Sequence, residues 1–384
     1  MKPIFSRTLK VLCVVMAAAL LSACGGASST VKPLTEKVTP NIAGSRIIAF
    51  GDALSDAGQS AGGKRYTVND GAAGGSMTLA ERLAANFGFS SVTPVQSGVL
   101  SSGGAYSYAY GGAKVTGGNV TSVAAQIDAF VNAGNQLTDN DLVVITAGSQ
   151  DIIDNATAYY ASTMTAATAK QNVADAAATL VTKVKRLTDE AKAKHVLLIA
   201  PINVARTPWG LSKGANYPSS SANYTFLEQL SVAIEGDNTT NSFGSQLSLE
   251  IGRNFPTSSS GLTVFLADLS NFFNLMTGTG AGYANTYGRT FPNPTGSINT
   301  YTAYSTSAGA ILTNPDVPVC ASNVTILNCT NNTIATNATT NAVWDYTTSV
   351  FADNVNLTPA ANRMLADYIF NGTGMGTMRT AGWR

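Results

Sequence analysis

The sequence predicts an α/β fold, a parallel sheet with helices on both faces. Two observations carry this. Arg46–Phe50, Leu142–Thr146, His195–Ala200 and Leu262–Ala267 are short, nearly unbroken apolar runs, the pattern of strands buried on both sides. Segments with helical spacing separate them, as strand–helix alternation in a parallel sheet requires.

The N-terminal segment stands apart from that pattern. Lys2, Arg7 and Lys10 form a basic region, and Val11–Leu21 is an apolar run too short to favour a membrane span. Leu21-Ser22-Ala23-Cys24 resembles a bacterial lipobox. That resemblance implies a lipoprotein signal over 1–23, acylation of Cys24 and a flexible tether over 24–44. It also implies the cell envelope, at the outer membrane because Gly25 follows the cysteine. The folded domain is then expected over 45–384. The chain has 23 basic and 22 acidic residues, so charge gives no case for nucleic acid as a partner.

The remaining elements follow in order. Met77–Phe87 puts Leu79, Leu83 and Phe87 on one helical face, and Val123–Val131 has similar spacing. Ala169–Lys194 reads as a long amphipathic helix, and Ser270–Met276 as a short one. Thr358–Phe370 closes the pattern: Thr358 suits an N-cap and Pro359 the first helical position. Residues 278–348 are rich in Asn, Thr, Gly and Ser and read as a long loop insertion. Within it, Cys320 and Cys329 are expected to form a short disulfide in an oxidising compartment. They have no His or further Cys nearby, so no metal site is expected, and no cofactor either.

Ligands of parallel α/β sheets bind at the carboxyl ends of the strands. Four segments are therefore candidates. Gly51-Asp52-Ala53-Leu54-Ser55-Asp56-Ala57-Gly58 follows the first strand, and Tyr108-Ala109-Tyr110-Gly111-Gly112-Ala113 comes next. Gly148-Ser149-Gln150-Asp151 follows Leu142–Thr146, and Phe351-Ala352-Asp353-Asn354-Val355-Asn356-Leu357-Thr358-Pro359 lies near the C-terminus. In this order and spacing they resemble the motif blocks of the GDSL, or SGNH, esterase and lipase family, over nearly the whole chain after the signal. The resemblance implies a flavodoxin-like hydrolase domain. It maps the family's nucleophilic serine to Ala53, its oxyanion glycine to Gly112 (or Gly111), its oxyanion asparagine to Gln150, its acid to Asp353 and its base histidine to Asn356.

The departures fall on the chemistry. Ala53 has no oxygen to attack an ester, and the Asn356 amide cannot take a proton near neutral pH. Gln150 keeps an amide donor, one methylene longer than asparagine. His195 is the one histidine and starts a strand, so it is expected at the opposite end of the sheet. Ser55 is the alternative nucleophile candidate. Asp56 is expected to cap the following segment or to hydrogen-bond across the turn, and Asp151 to be a structural hydrogen-bonding residue. Tyr106, Tyr108 and Tyr110 either line the cleft or form one buried face. The reading is a catalytically impaired family member whose cleft holds an acyl ester, lipid or glycan, or a protein partner. An active hydrolase with a rearranged site and a structural envelope lipoprotein are the alternatives.

Overall fold

A computed structural model describes residues 45–371 apart from 60–61, 72–74, 216–220, 232–240, 257–261, 278–289, 293–297, 301–317, 338–340 and 348. The expected signal, the tether and Cys24 lie outside the described residues, as does much of the 278–348 insertion. The strands are β1 (Arg46–Phe50), β2 (Val92–Pro94), β3 (Gly104–Ser107), β4 (Asp141–Thr146), β5 (His195–Ile199) and β6 (Thr263–Ala267). They form a six-stranded sheet in the order β2-β3-β1-β4-β5-β6, parallel throughout. The helices are α1 (Leu79–Asn86), α2 (Val123–Asn132), α3 (Ser149–Tyr160), α4 (Ala166–Asp189), α5 (Pro208–Ser212), α6 (Ala222–Ser231), α7 (Phe243–Asn254), α8 (Ser270–Met276) and α9 (Pro359–Asn371).

Side-chain alternation along β1 assigns the helices to two layers. Ile48 and Phe50 face a core built with α2, α3, α4, α6 and α7. Ile47 faces the other core, built with α1, α8 and α9. Phe50 stacks on Tyr108 at 5.3 Å and meets the edge of Phe130 at 5.5 Å. Fully burying such a side chain contributes about 1.5–3 kcal/mol, which fixes β1 between its layers. The cap expected for the last helix is present: Thr358 Oγ1 accepts from Ala361 N at 3.1 Å, with Pro359 as the first helical residue.

The insertion is not all loop. Thr290–Pro292 (β7) pairs antiparallel with Ile298–Thr300 (β8). Residues 318–337 form a strap stapled by the Cys320–Cys329 disulfide. Val319 N donates to Phe351 O and Cys320 N to Ala352 O, at 3.1 and 2.8 Å. The strap therefore runs beside the segment that precedes α9. Val68, Val319, Cys320, Cys329 and Ala352 form a small core of their own beneath it.

Chain order reverses between β1 and β4, because β3 lies on one side of β1 and β4 on the other. A crevice beyond the carboxyl ends of the strands is expected at such a switch point.

Candidate active site

The turn after β1 is held from below. Gly51 has φ 142°, and a Cβ there would lie 2.2 Å from Thr146 O, so only glycine lets β1 and β4 end this close. Gln126 clamps the same residue: its Oε1 accepts from Gly51 N at 2.7 Å and its Nε2 donates to Gly51 O at 2.9 Å. Asp52 is buried, with Oδ1 2.9 Å from Thr146 Oγ1 and accepting from Leu54 N at 3.2 Å. Burial pushes its carboxyl above the ordinary range, against hydrogen bonds from Thr146, Leu54 and the Ser149 side chain.

A cleft of about 590 Å³ opens above this turn, and Ala53, Gly112, Gln150, Asp353 and Asn356 all line it. Residues scattered over the sequence thus meet at one end of the sheet. β1 delivers Ala53, β4 and the start of α3 deliver Gln150, and the segment before α9 delivers Asp353 and Asn356.

Gly112, not Gly111, is the glycine on the cleft. Gly111 N donates to Asp56 Oδ2 at 2.8 Å, and a Cβ at Gly111 would enter the Tyr66 ring at 1.9 Å. Asp56 Oδ1 meanwhile accepts from Gly58 N and Gln59 N at 2.8 and 2.7 Å, the turn role expected of it. Gln150 Nε2 donates to Asp154 Oδ1 at 2.7 Å, and Lys114 pairs with Asp154 at 3.2 Å. The extra methylene lets this amide reach along its own helix, and one of its two N–H donors is engaged there. Asp151, next in sequence, accepts from Val115 N at 3.0 Å, and burial raises its carboxyl to about 7.

Asp353 and Asn356 keep the geometry of an acid beside its base. Asp353 Oδ1 accepts from Val355 N and Asn356 N at 2.8 and 2.6 Å. Its Oδ2 accepts from Asn356 Nδ2 at 2.9 Å. A carboxylate only accepts, so Asn356 turns its NH₂ toward Asp353.

Ser55 does not reach the cleft, which corrects its candidacy as a nucleophile. It is fully buried, with Oγ 2.9 Å from Thr146 Oγ1 and its carbonyl accepting from Ser107 Oγ at 2.6 Å. His195 pairs in register with Leu142, near the start of β4, at the end of the sheet away from the cleft. Its Nε2 lies 2.9 Å from Asp139 O. The three tyrosines do not line the cleft as described. Tyr108 is buried in the core, and the Tyr106 hydroxyl donates to Gly103 O at 2.7 Å. Tyr66 contributes instead, as do Ser149, the strap residues Val324 and Ile326, and Trp344 beyond the strap. None of these was singled out in the sequence. Ser149 stood inside a quoted motif block, which was the available signal. Among the described residues no group of His, Cys, Asp and Glu could hold a metal ion.

Sheet order and cleft together define a parallel α/β protein with a cleft beyond the carboxyl ends of its strands. The family model described as GDSL-like Lipase/Acylhydrolase matches residues 47–369, and the chain belongs to that family. Comparison with curated proteins returns no match.

Proposed function

We propose that this chain is an envelope lipoprotein of the GDSL family that keeps a ligand cleft and has lost ester hydrolysis. One observation carries the reading: Ala53 lines the cleft at the family's serine position, and the residue on Asp353 is Asn356. Covalent attack needs an oxygen and a base to take its proton, and the mapped positions offer neither. The Gln150 amide, drawn along its own helix to Asp154, supports the same conclusion, since oxyanion donors act at short range. The cleft remains open to an acyl ester, lipid, glycan or protein segment.

Turnover of a short acyl ester by the purified protein tests the loss, and background hydrolysis is the expected result. An ordinary esterase rate that disappears in Ser149→Ala would move the reaction to that hydroxyl and end this reading. The anchor rests on the lipobox. Mass spectrometry of the native protein is expected to find a mature chain starting at acylated Cys24, and a different start would remove the anchor from the proposal.

A further inference from the structure

The charge of the cleft and the orientation of Asn356 bear on which ligand it takes. Asp52 and Asp353 line the cleft, and no Lys, Arg or His appears among its described lining residues. Lys114, the cation near Gln150, is paired with Asp154 at 3.2 Å. An anion entering the cleft would meet the Asp353 carboxyl with no compensating cation, and like charges at close range are repulsive. Asn356 presents the opposite preference. One hydrogen of its Nδ2 is held by Asp353 Oδ2 at 2.9 Å, leaving Oδ1 and the second N–H to a ligand. A side-chain amide in that state pairs best with a group that both donates and accepts. Gly112, also on the cleft, brings a backbone N–H that can donate to a ligand carbonyl. The lining also includes aliphatic and aromatic residues: Leu54, Ile153, Ile202, Val324, Ile326 and Trp344. Such walls favour an apolar tail by burial.

Resting on the non-catalytic reading, we propose that the cleft binds uncharged aliphatic amides and excludes the matching carboxylates. Asn356 is the residue that sets this selectivity, with the Asp353 charge as the excluding element. The amide group lies between Asn356 and Gly112, and its tail lies along the Ile153, Ile202 and Ile326 wall. The carboxylate, ionised at neutral pH, offers Asn356 Oδ1 no donor and is repelled by Asp353.

Calorimetric titration of the full chain with decanamide and with decanoate at neutral pH tests this. Decanamide is expected to bind at least about tenfold more tightly than decanoate and to raise the melting temperature. Asn356→Leu, close in volume, is expected to weaken decanamide by about tenfold and leave decanoate unchanged. Asp353→Asn keeps an acceptor for the two backbone N–H groups and is expected to narrow the gap by strengthening decanoate. Equal or tighter binding of decanoate, binding of neither ligand, or an Asn356→Leu protein that folds normally and still holds decanamide would each overturn the proposal. Ester turnover by the parent would end the non-catalytic reading alone, leaving the measured selectivity to stand or fall separately.

Discussion

Asn356 makes to Asp353 the hydrogen bond that a base histidine would make to its acid, at 2.9 Å, so an imidazole introduced there would be oriented at once. That orientation is useless without an oxygen at 53, and an oxygen at 53 is useless without a proton acceptor at 356. Residues that act as a unit do not add. Ala53→Ser and Asn356→His are therefore each expected to leave ester turnover near background. The double variant is expected to regain measurable turnover. Adding Gln150→Asn shortens the side chain away from Asp154 and restores the donor length of the family. Loss of one oxyanion donor costs about 10²–10³ in rate, so the triple variant is expected to exceed the double by tenfold or more on that scale. Turnover of a short acyl ester by all four variants decides it. A single variant matching the double would show that another residue in the cleft already supplies the missing group. At this scale most of the site was legible in the sequence, because motif order maps a residue to a position whatever occupies it. Ser149 and Tyr66 were not legible as cleft residues, since neither fills a motif position that the family uses chemically.

Strands buried on both faces have a strong signature, and β1, β4, β5 and β6 lie where their apolar runs predict, within a residue at each end. β2 and β3 do not share it. Val92-Thr93-Pro94 is three residues long and mostly exposed, and Gly104-Ala105-Tyr106-Ser107 is small and polar. β3 pairs with the edge of β1 and β2 with β3, which no local pattern announces. The strap was legible only through its cysteine pair. Composition marked it as loop, yet it supplies much of the apolar cleft wall. Its staple closes a short loop across a sequence separation of 9, and such a cross-link contributes about 2–3 kcal/mol, chiefly by restricting the unfolded chain. Cys320→Ser with Cys329→Ser removes that restraint and the small core over Val68 and Ala352. The expected outcome is a loosened strap on an intact sheet: unchanged far-ultraviolet dichroism, and faster amide exchange confined to 318–337 and 351–352. Uniform exchange across β1 and β4 would show that the strap is part of the global folding unit.

Over the whole molecule, buried carboxyls make stability depend on pH in a direction that composition could not reveal. Burial raises Asp151 to about 7 and Asp367 to about 6, and it raises Asp52 as well. For each of these the folded state holds its proton at a pH where the unfolded chain, with the ordinary value of 3.8, has released it. Stability therefore falls as pH rises from about 4 towards the folded value. Asp128 and Asp141 behave oppositely. Burial opposes their ionisation, but hydrogen bonds from Lys183 and Arg186 in one case, and chiefly from Arg46 in the other, outweigh it and hold them low. Their contribution is present above the ordinary value and is lost as pH falls below it. The two trends oppose each other: Asp128 and Asp141 lose their contribution on the acid side, and Asp367 and Asp151 lose theirs as pH rises from about 4 to about 6 and 7. Asp151→Asn isolates the largest printed shift while keeping an acceptor for Val115 N, which lies 3.0 Å away. At about pH 8 this variant is expected to be more stable than the parent by about 1–3 kcal/mol. The difference should shrink as pH falls through about 7 and vanish near pH 4. Urea denaturation of both proteins across that range measures it. A variant that is less stable than the parent at every pH would mean that the fold stabilises the Asp151 carboxylate and not its neutral form.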